Sequence, residues 1–271
     1  MKFKKPYVIA ELGINHNGSI KIGKKLILNA KKSGVNAVKF QTYIPELRFG
    51  TKHKFFEIFK KYHLKFEDEL VLWKYAKHVG LDVMTSPFDP ESVDFCKVNK
   101  KLLSGIKIAS FETTNLKLVR LVSSLKLKTF FSTGQNNLSE IQKTIKNINK
   151  YHNKIVPMHC ISSYPTRNHD SNLIVIKFLQ NKLKREIGFS DHSLGSRISI
   201  YASCLGISHI EKHFTINNNM NGPDHKFSMN PITMSELIKG IKDLELIMGS
   251  PWMGVRPYEK LIYSEVRRVS K

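Results

Sequence analysis

Two histidines that follow short apolar segments are the first residues in this chain whose type and spacing could do chemistry. Residues 210–228 begin as an apolar strand and then place two histidines, two lysines, a glutamate and an aspartate close together. Glu211 and His213 are two residues apart, so on a strand they point to one face while Lys212 points to the other. His192 follows a second short apolar segment. Either histidine alone could be a hydrogen-bonded core residue, but the pair indicates a site for a divalent metal ion.

The length and composition predict one soluble domain. With 271 residues and 41% hydrophobic content, the chain can bury a full-sized core, and we expect residues 1–271 to form a single domain. The apolar runs are shorter than the roughly 18 residues of a membrane span, and Glu11 interrupts the basic N-terminus before a signal peptide could form. We therefore predict a cytoplasmic protein that does not contact a membrane. Cys96, Cys160 and Cys204 show no CxxC spacing and are predicted to be buried, reduced thiols.

The strong positive charge could indicate a nucleic-acid partner. The net charge is +22 and the pI is near 9.8, and lysine and arginine neutralise phosphates. The lysines are scattered along predicted helices, however, rather than concentrated in a tail or interleaved with aromatic residues. We therefore expect a solvated lysine-rich surface and no nucleic acid, with a basic nucleic-acid binder as the alternative. An anionic small substrate also fits the charge.

Eight strand-then-helix units would position the polar residues. The predicted strands are 7–15, 37–42, 82–87, 105–110, 128–134, 155–162, 186–190 and 209–215. The predicted helices are 19–33, 66–79, 90–98, 116–125, 138–149, 173–183, 194–205 and 231–248. Eight such units without a linker favour the α/β class and one closed (β/α)8 TIM barrel, and an open sheet with extra edge strands is the alternative.

Polar side chains gather at the predicted strand ends. In such barrels the chemistry lies at the C-terminal ends of the strands. Four lysines at one mouth would suit an anion with at least two charged groups, such as a phosphorylated carboxylic acid. Hydroxyl and backbone N–H groups of residues 132–134 would suit a phosphate. The residues assigned to these ends include Glu11, Lys39, Gln41, Lys107, Ser110, Lys128, Ser132, Ser190, His192, Glu211, Lys212 and His213.

Nine motifs in register resemble the sialic acid synthase family. They are AELGINHNG (10–18), VKFQT (38–42), SPFD (86–89), KIASFE (107–112), STG (132–134), HCISSYPT (159–166), GFSDHS (188–193), IEKHFT (210–215) and GPDHKFS (222–228). The resemblance spans essentially the whole chain. It implies a transferase that condenses phosphoenolpyruvate with an N-acylated mannose-type sugar, adds water and releases phosphate, forming a carbon–carbon bond to give a nonulosonic acid.

The resemblance also implies roles for individual residues. His192 and His213 would hold a divalent metal, manganese first and magnesium or cobalt as alternatives. Glu11 and Asp224 match acidic residues near that metal, where a carboxylate could orient or deprotonate water. The phosphoenolpyruvate site would consist of Lys39, Lys107, Lys128, Ser110, Ser132 and Ser190. The sugar contacts would be Gln41, Tyr164 and Glu140.

Several of these side chains have simpler structural interpretations. Glu11 could be an ion-pair partner inside the barrel, Lys107 could be structural, and Glu140 could stabilise the start of a helix. We also expect three further histidines to line the pocket without binding the metal, namely His16, His159 and His225.

The resemblance leaves three functions open. Bacterial members of the family usually continue into a small antifreeze-like domain, and we expect that domain to be absent here. A homodimer is also implied. The first hypothesis is a synthase of N-acetylneuraminate or of a legionaminate- or pseudaminate-type acid. The second is a related barrel lyase or synthase with another acceptor. The third is a catalytically impaired binding or regulatory barrel. No sequence pattern in residues 44–65 or 217–221 identifies the acceptor sugar.

Overall fold

Eight parallel strands form a closed barrel in which each strand pairs with the next and the last pairs with the first. The computed structural model describes residues 3–266 and 268. The strands are Tyr7–Gly13 (β1), Ala37–Thr42 (β2), Asp82–Pro87 (β3), Leu103–Ile108 (β4), Thr129–Ser132 (β5), Ile155–Cys160 (β6), Gly188–Asp191 (β7) and His209–His213 (β8). The predicted (β/α)8 barrel is confirmed.

Helices follow every strand and form the outer layer. They are Ile20–Lys32 (α1), Pro45–Arg48 (α2), Phe56–Lys61 (α3), Phe66–His78 (α4), Pro90–Val98 (α5), Leu116–Ser124 (α6), Leu138–Ile148 (α7), Ile174–Leu183 (α8), Arg197–Cys204 (α9), Pro231–Met248 (α10) and Lys260–Val266 (α11). Short 3₁₀ turns lie at Lys100–Leu102, Ser110–Glu112, Asn168–Asp170 and His225–Phe227. None of the helices in the described part of the chain has the length and apolarity needed to cross a bilayer.

Polar residues at helix starts explain why several predicted boundaries are accurate. The side chains of Ser19, Asp89 and Asn230 accept hydrogen bonds from the first-turn N–H groups of α1, α5 and α10. The prediction for α9 was less accurate, since it begins at Arg197 rather than at residue 194. The intervening loop is held instead by a hydrogen bond from the Ser193 N–H to the Asp191 carboxylate at 2.8 Å.

Strand alternation divides the buried residues between two layers. One face of the strands packs with the helices in the main core, as Val8 and Val38 do. The other face points into the barrel, where a separate apolar cluster fills the end near the strand starts. It consists of Ile9, Ala37, Met84, Phe130, Val156 and Met158. Two residues further along these strands the inward positions become polar, as at Glu11, Lys39 and Ser132. The barrel interior is therefore apolar at one end and polar at the other.

Two less regular features differ from the sequence-based expectations. The region between β2 and α4, in which no helix was predicted, contains α2 and α3. Cys96 and Cys160 are buried as predicted, but Cys204 is exposed because it lies on the solvent side at the end of α9.

Candidate active site

A cavity of about 610 Å³ opens at the C-terminal ends of the strands. Eleven of the thirteen side chains predicted to form the site line it together. They are Glu11, Lys39, Gln41, Lys107, Ser110, Ser132, Tyr164, Ser190, His192, His213 and Asp224. They come from the ends of β1, β2, β4, β5 and β7, from the β8 terminus and from the loops that follow. Barrel closure is what brings residues so distant in the chain into one cavity.

A network of buried ion pairs forms the floor of this cavity. Lys39 Nζ lies 2.5 Å from a Glu11 oxygen and 3.9 Å from a Glu211 oxygen. Lys107 Nζ lies 2.5 Å from the other Glu211 oxygen and donates a 3.0 Å hydrogen bond to Ser190 Oγ. Glu211 thus joins the two lysines, and all four charged side chains are at most 6% exposed. The role of Glu211 as their common partner was not predicted from the sequence.

The network shifts the pKa of each acid in a different direction. Burial opposes ionisation of Glu211, but Lys107 and Lys39 outweigh that effect and lower its pKa to about 2. Burial raises the pKa of Glu11, and the nearby Glu211 charge raises it further although Lys39 opposes the shift. The pKa of Lys39 is raised because Glu11 and Glu211 outweigh the effect of burial. The floor therefore holds two lysine cations beside one firmly ionised carboxylate and one that can accept a proton.

The two predicted metal-binding histidines face each other across the cavity wall. Their ring centroids are 5.7 Å apart. His192 Nδ1 lies 2.8 Å from the Ile161 carbonyl oxygen, so this nitrogen donates and Nε2 is left as the atom available to a ligand. His213 Nδ1 is buried without a hydrogen-bond partner and lies 3.7 Å from the Asp224 carboxylate. Burial, followed by the neighbouring His192, lowers the pKa of His213 well below its usual value, which keeps this imidazole neutral.

These donors fit a divalent metal ion. Two imidazoles with an available nitrogen each offer nitrogen donors suited to a first-row divalent ion. The unpartnered His213 Nδ1 is an independent indication, because a buried polar atom normally has a partner. Within residues 3–266 and 268, no group of three or more His, Cys, Asp or Glu side chains is close enough to hold a metal on its own.

Asp224 approaches the same part of the cavity from the loop after β8. Gly13 lies between the two acids: a Cβ atom there would lie 3.4 Å from both the Asp224 and the Glu11 carboxylates, which is ordinary contact, so the glycine is favoured by its φ of +49° rather than by lack of space. Burial raises the pKa of Asp224 to about 7, and the Glu11 charge contributes to the increase. At neutral pH this carboxyl group can therefore exchange a proton.

Hydroxyl groups surround Gly134 at the end of β5. A Cβ atom at this position would lie 2.6 Å from Ser162 Oγ and 3.0 Å from both Ser110 Oγ and the Cys160 carbonyl oxygen, so a larger residue would displace the Ser162 hydroxyl and crowd this backbone. Ser162 Oγ is buried without a partner. Ser132 lines the cavity beside them. These hydroxyls can donate hydrogen bonds to an anion in the cavity that they and Lys107 line.

A cation and an aromatic wall in the upper part of the cavity were not predicted from the sequence. Arg48, at the end of α2, places its guanidinium carbon 3.6 Å from the Phe88 ring centroid and 4.2 Å from that of Phe59. Burial lowers the pKa of Arg48 to about 10, so the group remains charged at neutral pH. The only sequence signal was the density of aromatic residues in 43–62, which does not reveal that they enclose an arginine.

Lys212 lies outside the cavity, which agrees with the strand alternation but corrects its assignment to the four lysines at the cavity mouth. It is buried between the barrel and the helices, where its ammonium group lies 3.1 Å from the Asp191 carboxylate. Asp191 also accepts a 2.6 Å hydrogen bond from Ser199 Oγ. The pair connects β7 to β8 directly beside His192 and His213, so it holds the two histidine-bearing strand ends together.

Lys128 and Glu140 are not part of the cavity, which corrects two predictions. Lys128 precedes β5 and therefore lies at the opposite end of the barrel, 3.1 Å from Nε2 of His209 in a second cavity of about 510 Å³. Glu140 caps α7, where its carboxylate accepts a 2.8 Å hydrogen bond from the Asn137 N–H, as the simpler interpretation stated. With Lys128 at the far end and Lys212 between layers, the cavity contains two of the four lysines assigned to it.

Three further histidines expected to line the cavity lie elsewhere. His16 accepts a hydrogen bond from the Gly18 N–H at 3.1 Å within the loop after β1. His159 lies 2.9 Å from the Ser171 carbonyl oxygen, on the outer side of β6. His225 lies 2.6 Å from Thr215 Oγ1. Each of these three histidines is held by a hydrogen bond within the fold and has a structural role.

Comparison with known proteins gives one consistent result. Residues 26–252 match the model of the NeuB family. The chain is 35% identical over 286 residues to an N,N'-diacetyllegionaminic acid synthase from Campylobacter jejuni, covering 99% of this chain and 84% of that protein. It is 34% identical over 263 residues to a protein of the same name from Legionella pneumophila, covering 90% and 73%.

A solved structure shares the fold closely. The crystal structure of an N-acetylneuraminic acid (sialic acid) synthetase from Leptospira borgpetersenii, in complex with citrate, superposes with a TM-score of 0.89. The two chains are 28% identical, and the match covers 98% of this chain and 94% of that one. The similarity therefore extends over the barrel and the loops that form the cavity.

Proposed function

The chain belongs to the NeuB family, and from this membership we propose that it condenses phosphoenolpyruvate with an N-acylated mannose-type sugar to give a sialic acid or a related nonulosonic acid. The observation that carries the proposal is one cavity that joins a two-lysine floor to a pair of histidines with available nitrogens. The first arrangement suits a phosphorylated carboxylate and the second suits the metal needed to activate a carbonyl group.

Phosphoenolpyruvate would bind on the floor of the cavity. Lys39 and Lys107 offer ammonium groups to its negative charges, and Ser190 already accepts a hydrogen bond from Lys107. The hydroxyls of Ser110 and Ser162, which converge on Gly134, can donate to the phosphate oxygens. Because Glu211 holds Lys107 in place before substrate arrives, the cradle is preorganised.

His192 and His213 would hold a divalent ion, for which we propose manganese. When bound, such an ion supplies Lewis acidity that polarises the aldehyde of the open-chain sugar. Tyr164 packs against both rings, with its centroid 4.1 Å from that of His192 and 5.9 Å from that of His213. This contact restricts the orientation of the imidazoles and leaves the tyrosine at the cavity lip, where a sugar would enter.

The reaction forms one carbon–carbon bond and one carbon–oxygen bond. C3 of phosphoenolpyruvate attacks C1 of the sugar, the aldehyde oxygen takes up a proton, and C2 of the former phosphoenolpyruvate becomes electron-poor. Water then adds to C2, and the tetrahedral intermediate expels phosphate to leave a 2-keto acid. Glu11 can accept the proton of that water, because its pKa is raised and Lys39 stabilises its charged form. Asp224, whose pKa is raised to about 7 by burial, would donate the proton to the aldehyde oxygen.

The test is release of phosphate from phosphoenolpyruvate in the presence of manganese and a panel of N-acylated and deoxy acceptor sugars. We expect acceptor-dependent release by the wild-type protein and none by the His192→Ala/His213→Ala double variant. His169→Ala is the matched control, because His169 is exposed and outside the cavity. Removing metal with a chelator should abolish release, and adding manganese back should restore it. Turnover that survives both the double variant and the chelator would refute the proposed metal site.

We also propose that the protein forms a homodimer. The support is a run of exposed apolar side chains at the end of α10, where Leu246 and Ile247 are 82% and 75% exposed. Light scattering during gel filtration should give twice the chain mass of 31.2 kDa.

A further inference from the structure

Arg48 is enclosed by aromatic rings at the outer end of the cavity. Its guanidinium carbon lies 3.6 Å from the ring centroid of Phe88, 4.2 Å from Phe59, 4.7 Å from Tyr43 and 5.1 Å from Phe49. Cation–π attraction from these rings stabilises the charge in a partly dehydrated place. We call this part of the cavity the aromatic compartment, and it also includes Phe55, Ile58 and Phe111.

The guanidinium has hydrogen-bonding capacity that the protein does not use. Its Nη1 donates to Gln41 Oε1 at 3.1 Å, but Nε is buried and has no partner. Among the described residues, no carboxylate oxygen lies within 4.0 Å of Arg48 to form a salt bridge. An unsatisfied buried donor is costly, and here it lines a substrate cavity. A ligand atom that accepts a hydrogen bond would relieve that cost.

The surroundings of Arg48 select the kind of ligand group. A phosphate or carboxylate is bound best by several donors together, as the lysines and serines of the floor provide. The aromatic compartment instead offers one guanidinium among mostly apolar rings, with the His53 imidazole stacked on Phe49, so a dianion entering it would lose most of its hydration. An amide group has the opposite needs, because it presents one carbonyl oxygen next to an alkyl group. The guanidinium can donate a hydrogen bond to the carbonyl oxygen, and the aromatic rings can contact the alkyl group.

We infer that Arg48 is a specificity-determining residue that binds the carbonyl oxygen of an N-acyl group on the acceptor sugar, while the aromatic compartment holds the acyl methyl group. This inference rests on the proposed function and names the feature of the acceptor that the site recognises. Gln41 connects the compartment to the reacting end of the cavity, because it accepts from Arg48 and donates to Glu11 Oε1 at 3.1 Å. Binding of the acyl group is thereby coupled to the placement of the sugar over Glu11.

The experiment compares three acceptors with matched variants. The acceptors are an N-acetylated mannose-type sugar, the same sugar with a hydroxyl in place of the acylamino group, and the N-acetylated sugar carrying a phosphate. Arg48→Met removes the guanidinium and keeps an apolar chain of similar length, whereas Arg48→Lys keeps the charge and loses the planar fork. Arg120→Met is the control, because Arg120 is exposed on α6 and outside the cavity. Thermal melting of each variant checks that the fold is retained.

We expect Arg48→Met to lower kcat/KM for the N-acetylated sugar by about 10- to 100-fold, as for loss of one charged hydrogen bond, with most of the change in KM. The hydroxyl sugar should change by less than about 3-fold, because it lacks the recognised group. KM for phosphoenolpyruvate should not change, and Arg48→Lys should be intermediate. Equal losses on both sugars, a higher KM for phosphoenolpyruvate, or a phosphorylated sugar as the substrate most dependent on Arg48 would each overturn the inference.

A second readout separates this inference from the proposed function. If the wild-type protein turned over no acceptor, the proposed function would fail, and binding of the N-acetylated and hydroxyl sugars would be compared by saturation-transfer NMR. Preferential binding of the N-acetylated sugar that Arg48→Met abolishes would still support the role of Arg48. Equal binding of the two sugars by the wild-type protein would refute it.

Discussion

Two lysines at opposite ends of the barrel allow the substrate cradle to be tested with one type of substitution. Lys107 forms the cavity floor with Glu211 and Ser190, whereas Lys128 contacts His209 at the strand starts. We expect Lys107→Met to raise KM for phosphoenolpyruvate by about 10- to 100-fold, because a charge-assisted hydrogen bond to the substrate is lost. Lys128→Met should leave KM within about twofold. Steady-state phosphate release measures both, and equal effects of the two substitutions would contradict the assignment of the cavity.

Glu11 provides the corresponding test for proton transfer. Its raised pKa and its contact with Lys39 suit a group that accepts a proton from water and then carries the charge. We expect Glu11→Gln to lower kcat by about 10²- to 10⁴-fold, the usual contribution of a positioned base, with little change in KM for phosphoenolpyruvate. Glu186→Gln, on an exposed acid at the other end of the barrel, is the control. A change confined to KM would instead make Glu11 a binding residue.

At the residue scale, the sequence correctly predicted the cavity-lining residues that occupy inward-facing positions near the C-terminal end of a strand. Glu11, Lys39 and His213 follow from strand alternation together with the rule that barrel chemistry lies at strand ends. Lys128 was misplaced because it precedes its strand, so the same rule assigns it to the opposite mouth. Arg48 was missed because its position depends on tertiary packing by rings from four parts of the chain, which no local pattern records.

At the element scale, the accuracy of a predicted helix depended on local signals. Asn230 followed by Pro231 marks the start of α10, and the boundaries of that helix were predicted correctly. The short helices α2 and α3 have four and six residues, too few to be stable alone. They are held by tertiary contacts instead, such as the 3.0 Å hydrogen bond from the Tyr43 hydroxyl to the Phe59 carbonyl.

The buried pair between β7 and β8 leads to a prediction about two elements together. Lys212→Met leaves Asp191 charged without its cation, and we expect a loss of about 3–5 kcal/mol in the free energy of unfolding. Metal affinity should also fall, by about 10- to 100-fold, because the strand ends that carry His192 and His213 lose their connection. Urea titration and metal analysis after dialysis measure the two effects.

The double variant Asp191→Asn/Lys212→Met separates charge from packing. It removes both charges and keeps side chains of similar size, so much of the lost stability should return. If metal affinity stays low while stability recovers, the ion pair itself positions the histidines. Full metal affinity in the single variant would show that the pair serves stability alone.

At the scale of the whole molecule, the positive charge is kept largely away from the buried interior. The charged residues of the cavity floor are two lysines and two glutamates, which balance one another. The net charge of +22 therefore arises from the remainder of the chain, as the scattered lysines predicted. Because the cavity carries no large excess of acid, an anionic substrate is attracted both by the general surface charge and by the two lysines beneath it.

A buried carboxylate outside the cavity couples the stability of the whole barrel to pH. Glu69, on α4, is 2% exposed. Its Oε1 accepts hydrogen bonds from Thr42 Oγ1 at 2.7 Å and from Trp73 Nε1 at 3.1 Å. Burial outweighs these hydrogen bonds and raises the pKa of Glu69 to about 7. The folded protein thus keeps a proton on Glu69 that the unfolded chain loses near pH 4.3.

Glu69 should therefore destabilise the fold as pH rises. Between about pH 4.3 and 7 the folded state binds one more proton than the unfolded state, so the free energy of unfolding falls with increasing pH, by on the order of 3 kcal/mol in total. Glu69→Gln keeps an oxygen for Thr42 and Trp73 but cannot ionise, so its stability relative to wild type should increase from pH 5 to pH 8. Glu67→Gln on the exposed face of α4 is the control, measured like the others by urea unfolding. If the stability difference between Glu69→Gln and wild type does not vary with pH, the pKa of Glu69 is the same in the folded and unfolded states. Burial would then not raise this pKa.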